Sequence, residues 1–153
     1  MSINKNVWIF QGNPNQYRVK DALSDGMLKT WRVTKFKNDI KHGDIALIWI
    51  CGKSAGIYAV ADITSDPAYM PLLPEEERHY INKDKAKGGI VVGLKFIRYF
   101  LVNPLYRYNL RNIQGLENLS IIKCAMGTNF PVIKREWEII KYKLEEWSRN
   151  ERN

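Results

Sequence analysis

A chain of 153 residues, 45% apolar and 12% aromatic, is large enough for one buried core and excludes a disordered polymer. No run of about 18 apolar residues occurs, which argues against a membrane-spanning helix. The net charge of +8, from 24 Lys+Arg against 16 Asp+Glu, favours an anionic partner, although many basic proteins bind nothing in particular; nucleic acid, an anionic membrane surface and an acidic protein fit the charge about equally well.

Val7, Trp8, Ile9 and Phe10 read as a first strand running into Gln11, Gly12, Asn13, Pro14 and Asn15. Asn13 is suited to cap a helix with Pro14 at its first position, so a helix is predicted over residues 14–23, ending near Gly26. Free backbone amides and the amide side chains of Gln11 and Asn13 make this junction a candidate recognition corner, although capping alone would explain Asn13. Residues 28–33 form a predicted extended piece with Trp31 at its centre. His42 is expected in an exposed turn, and its spacing from His79 suits no metal site.

Residues 43–65 organise the chain. Two β-branched-rich runs, 45–50 and 57–63, flank Gly52-Lys53-Ser54-Ala55-Gly56, which predicts a β-hairpin. Their near-continuous apolarity predicts strands covered on both faces, as in a small barrel wrapped by helices, with the site at the hairpin's open end. Gly52-Lys53-Ser54 imitates the end of a phosphate-binding loop. That motif needs glycine at position 47, where Leu stands, and a following helix, where a strand is predicted.

Pro67, Pro71 and Pro74 predict a loop insertion over residues 66–89, with one or two helical turns near 75–80 and an exposed segment at 84–89. Its Tyr69, Met70 and Tyr80 are unusual for a mere linker. Residues 90–100 read as a strand, 101–112 as a bend and a short piece, 115–119 as a short helix, 120–126 as a strand and 127–131 as a turn. Trp137, Ile140, Leu144 and Trp147 mark a closing amphipathic helix, followed by a polar tail at 148–153. The acids at 75–77 and 136–146 are expected on a rear face. Residues 1–6 lack the apolar core of a leader, so Cys51 and Cys124 are expected as reduced thiols in strands and the protein in the cytoplasm.

Catalysis finds little support. Cys51 has no nearby histidine, no nucleophile elbow occurs, and Asp44 and Asp62 are expected to serve turns. The aromatic residues are more informative. Stacking a base on an aromatic face contributes ~1–3 kcal/mol without a sequence code. Trp137 and Trp147 suit packing, whereas Trp31, flanked by Lys29, Thr30 and Arg32, reads as a partly exposed stacking surface.

The succession Val7-Trp8-Ile9-Phe10-Gln11-Gly12-Asn13-Pro14, Thr30-Trp31-Arg32-Val33, Gly43-Asp44-Ile45-Ala46-Leu47-Ile48-Trp49, Gly56-Ile57-Tyr58-Ala59-Val60-Ala61-Asp62 and Gly127-Thr128-Asn129-Phe130 resembles an EVE domain, a PUA-like relative of the YTH readers of methylated RNA. The resemblance spans nearly the whole chain and is poorest at residues 66–88. It implies an α+β fold, a PUA-like small β-barrel of five to six strands with helices packed around it, in a single domain over residues 1–153. It further implies a non-catalytic module that binds a modified base, methylated by preference, flipped into an aromatic pocket. DNA is favoured over RNA, and the setting is a restriction system with a GTP-driven motor or nuclease partner. On the matching positions, Trp31 would be an aromatic wall, Gln11, Gly12 and Asn13 would reach the base edge, and Trp49 and Tyr69 would complete the pocket. Phosphate contacts are expected from Lys29, Arg32, Lys35, Lys53 and Lys87, with no metal and no cofactor. The alternatives are an RNA-binding PUA-like module, a hydrolase of modified nucleosides using Lys53 or Cys51, and a protein-interaction domain meeting an acidic partner.

Overall fold

The first strand explains the layering. In β1 (Val7–Gly12), Trp8 and Phe10 point into one core and Val7 and Ile9 into another, because successive strand residues face opposite sides. In β3 (Ile45–Ile50), Ala46, Ile48 and Ile50 join the first core and Leu47 and Trp49 the second. β4 (Gly56–Ile63) keeps the small Ala59 and Ala61 on the first side. The computed structural model describes residues 5–152, with side chains as far as Ser148. Residues 1–4, part of the stretch read for a leader, and residue 153 of the polar tail lie outside the described residues.

The remaining strands are β2 (Thr30–Arg32), β5 (Ala68–Met70), β6 (Gly89–Tyr99), β7 (Leu105–Tyr106) and β8 (Asn129–Val132). The sheet runs β2-β6-β4-β3-β1-β8, with β5 added to β6 and β7 to β4. Its β1–β3 pair is parallel and the other pairs are antiparallel. Six strands lie on the main path, as the five-to-six-strand α+β barrel predicts. Helix α1 (Val19–Ser24) packs Val19, Ala22 and Leu23 into the first core. The short helices α3 (Arg107–Leu110) and α4 (Ser120–Lys123) and the long α5 (Lys134–Arg152) cover the second. Ile140 and Leu144 of α5 are buried there, and Trp147 Nε1 donates to the carbonyls of Asn103 and Pro104. Among the described residues no helix is long and apolar enough to cross a membrane.

The two ends of the sheet are joined by a side chain. Asn129 of β8, 2% exposed, accepts from Thr34 N through Oδ1 (2.8 Å) and donates from Nδ2 to Arg32 O (3.1 Å). Its amide offers one acceptor and one donor, which is what a neighbouring strand's peptide would offer. Beside it, Phe10 and Trp31 stack with ring centroids 6.3 Å apart and planes 18° apart.

Several sequence readings are corrected. The predicted helix over 14–23 shrinks to α1. Asn13 forms a tight turn instead, its Oδ1 accepting from Asn15 N and its carbonyl from Gln16 N and Tyr17 N. Residues 66–89 are not irregular: β5, the short helix α2 (Pro74–Glu77) and a 3-10 turn at Lys83–Lys85 order them. The predicted strand over 120–126 contains α4, and the predicted turn at 127–131 contains β8. Residues 115–119 form turns, and the polar tail continues the backbone of α5 to Arg152. Cys124 is exposed, whereas Cys51 is partly covered; both are free. Asp44 is more than a turn residue, accepting from Lys41 N and from the indole of Trp8.

Asn129→Ala is expected to cost ~1–3 kcal/mol, because it strands the part-buried Arg32 carbonyl and Thr34 amide. Chemical denaturation measures the loss, and faster amide exchange at Thr34 locates it.

Candidate functional site

A cavity of about 340 Å3 opens where the end of β1 meets β2 and residues 70–91. Its position follows from three sets of ties. Glu76 of α2 is 4% exposed, and its Oε1 accepts from Lys29 N and Thr30 N, both at 2.8 Å. Thr30 Oγ1 also donates to that carboxylate, at 2.9 Å from Oε2. Arg32 Nη2 reaches across the mouth to Lys87 O at 2.6 Å. Residues 79–82 run beside 16–18, with Arg18 N donating to His79 O, and Ile81 N and Asn82 N to Gln16 O. At the end of α1, His79 Nε2 lies 2.8 Å from Asp25 Oδ2.

The walls are aromatic. Trp31 lines the cavity although only 7% of it is exposed, so it is both core and wall. This corrects the expectation of a partly exposed indole: β2 places it against Phe10 and opposite Val92. Tyr17 and Tyr80 supply further walls, their rings 4.6 Å apart at 64°. Gly12 is required by close approach, since a Cβ there would lie 2.7 Å from Val19 Cγ2 and 3.1 Å from Trp31 Cη2. Arg32, Lys85 and Lys87 contribute positive charge and Glu76 the acidic group.

The predicted residues therefore divide. Gln11, Gly12, Asn13, Trp31, Arg32 and Lys87 all line the cavity. Gln11 is less free than expected, because its Nε2 donates to Ala125 O and Gly127 O. Trp49 does not belong: it is 1% exposed in the second core, one residue out of phase with the cavity side of its strand. Tyr69 does not line it either. It is 67% exposed, while Met70, its neighbour on β5, faces the opening. Lys29, Lys35 and Lys53 are exposed outside the lining. No residue of the hairpin 43–65 lines this cavity, which therefore does not lie at the hairpin's open end. Glu76, predicted on a rear face, is part of the site.

Sequence reasoning missed Tyr17 and Glu76 and passed over Tyr80. Nothing local marks Glu76 within three consecutive glutamates, since its partners lie 46 and 47 residues away. Tyr80 had a signal, an aromatic residue inside a polar insertion. Burial, then the charges of Glu76, Tyr80 and Asp25, hold the Tyr17 phenol well above its ordinary range. Burial also raises Tyr80, against the lowering effect of Arg32. Both phenols are neutral near pH 7 and able to donate. Burial likewise pushes the Cys51 thiol up, away from the thiolate that a nucleophile needs.

A family model described as "EVE domain" matches residues 6–142. The chain belongs to the EVE domain family. This EVE domain is similar over 95% of its length to a hypothetical protein from Leishmania major, at 15% identity and TM-score 0.66, covering 98% of that chain. A Pseudomonas putida protein matches at 21% identity and TM-score 0.62, covering 89% of this chain and 97% of that one. Human THYN1, solved in complex with 5-methylcytosine-containing DNA, matches at 14% identity and TM-score 0.61, covering 89% and 95% respectively. No curated protein matches the chain. At these identities the likeness carries the fold, which is the PUA-like barrel expected from the sequence.

The buried phenols make a pH prediction. A phenol whose folded value is raised contributes full stability below its unfolded value of 10.0 and loses it as pH rises toward the folded value. Stability of the EVE domain is expected to fall above pH 10, and less steeply in Tyr17→Phe, as measured by urea unfolding across that range.

Proposed function

We propose that this EVE domain is a non-catalytic reader that binds DNA and takes one modified base, flipped out of the helix, into the cavity beside Trp31. The observation that carries the reading is the combination found there: a concave site of about 340 Å3 with Trp31, Tyr17 and Tyr80 as walls and Arg32, Lys85 and Lys87 among its lining. Aromatic faces stack a base without regard to sequence, and lysine and arginine side chains attract the phosphates on either side of it. The structural neighbour solved with 5-methylcytosine DNA supports the choice of DNA and of a methylated base. Raised as it is, the Cys51 thiol gives no support to nucleoside hydrolysis.

A methyl group adds little area, so discrimination is worth only ~1–3 kcal/mol and has to come from fit within the cavity. Most of the affinity comes from phosphate contacts. Lys29, Lys35 and Lys53, exposed outside the cavity, are available for that role with Lys85 and Lys87. The reading extends to service as the specificity module of a restriction system, the setting that the resemblance implies.

Titration of the protein with methylated, hydroxymethylated and plain oligonucleotides, with matched RNA as competitor, tests the reading. Tighter binding of one modified DNA is the expected result; equal affinity for all would remove it. Trp31→Ala is a poor probe, since truncating a buried tryptophan costs ~3–5 kcal/mol of stability by itself. Trp31→Phe and Tyr80→Leu preserve bulk, and Tyr80→Leu is expected to lose ~1–3 kcal/mol of binding to the modified oligonucleotide. Lys87→Ala is expected to weaken modified and plain DNA alike and to lower the salt slope of log K by ~0.9.

A further inference from the structure

Two polar groups of the cavity are left over when the fold's own needs are met. Glu76 Oε1 accepts from Lys29 N and Thr30 N, whereas Oε2 accepts only the one hydroxyl hydrogen of Thr30, its nearer partner at 2.9 Å. A carboxylate oxygen has room for two strong hydrogen bonds, so Oε2 retains accepting capacity on a side chain that lines the cavity. The Tyr17 hydroxyl is buried and has no hydrogen-bond partner among the described residues, yet Tyr17 also lines the cavity. Buried polar atoms without partners are uncommon and costly in native proteins. A residue with spare accepting capacity and a residue with an unpartnered hydroxyl thus line the same aromatic-walled cavity.

Resting on the base-reading function above, we propose that Glu76 and Tyr17 together select a base carrying an exocyclic amine, of the cytosine or adenine kind, over a base carrying a keto group at that position. Cytosine and adenine each present an amine hydrogen next to a ring nitrogen that accepts. The amine donates to Glu76 Oε2 and the ring nitrogen accepts from the Tyr17 hydroxyl. A keto base reverses both positions, because the ring nitrogen beside its carbonyl carries a hydrogen. Its carbonyl would face a carboxylate that can only accept, with repulsion in place of a bond and no protein donor to replace lost water. The phenol stays protonated, as its buried setting requires, and so keeps the hydrogen it donates. The amine must retain at least one hydrogen. A single methyl on it is tolerated where the cavity has space, and two are not.

5-Methylcytosine and thymine differ on the pairing edge while sharing the ring methyl, which makes them the decisive probes. Each is placed opposite an abasic position, so that the cost of leaving the helix is the same. Fluorescence anisotropy is expected to show 5-methylcytosine bound about tenfold or more tighter than thymine. Adenine against hypoxanthine should follow the same order, and N6,N6-dimethyladenine should bind like hypoxanthine. Glu76→Gln keeps an oxygen for Lys29 N and Thr30 N but turns the other position into a donor, so it should reverse the preference toward thymine. Tyr17→Phe should weaken 5-methylcytosine several-fold without lowering the melting temperature, because the hydroxyl it removes has no partner in the fold. A wild-type protein that prefers modified to plain DNA yet ignores the difference between amine and keto would overturn this inference alone. An unchanged ratio in Glu76→Gln, with melting intact, would do the same. No binding of any oligonucleotide would overturn both this inference and the function it rests on.

Discussion

The structure depends on how the two ends of its sheet are closed. β8 and β2 do not form a ladder with one another; the side chain of Asn129 joins them, accepting from Thr34 N and donating to Arg32 O. A buried amide is costly unless both ends are satisfied, and here both ends meet backbone groups. The closure lets the Phe10–Trp31 stack form, since it brings β1, the neighbour of β8, beside β2 at the other end of the strand order. The cavity lies at that junction.

Residues 66–89 finish the site from outside. β5 extends the sheet along β6, Glu76 pins α2 to the start of β2, and Arg32 holds the Lys87 carbonyl. Each tie brings a charged or aromatic side chain to the cavity. Burying the Glu76 carboxylate is compensated by the donors of Lys29 and Thr30, while the Tyr17 hydroxyl goes uncompensated. Among the buried side-chain atoms without partners, the Tyr17 hydroxyl belongs to a residue that lines the cavity.

The strands of the barrel were legible because their signal is local. Hydrophobic runs bounded by glycine placed β1, β3 and β4, and helical spacing placed α5. The cavity was only half legible. Gly12, Asn13 and Trp31 stand in recognisable stretches, but the resemblance implies Trp49 and Tyr69 as further walls, and neither lines the cavity. Strand alternation placed both elsewhere, Trp49 in the second core and Tyr69 in the open. Glu76 escaped notice because its partners are remote in the chain. The short strand β8 was read as a turn, since Gly127 and Pro131 are strong turn signals and its pairing with β1 is long-range.

By itself, the order of residues determined the barrel strands, their two-sided burial, the long closing helix, and the kinship with the EVE family. Those properties follow from periodicity and short motifs, which act over a few residues. Tertiary structure alone decided which tryptophan faces the opening, that Tyr17, Tyr80 and Glu76 share a cavity with it, and that Asn129 closes the barrel. Each of these rests on contacts between segments tens of residues apart, where a one-residue change of phase exchanges an interior side chain for an exterior one.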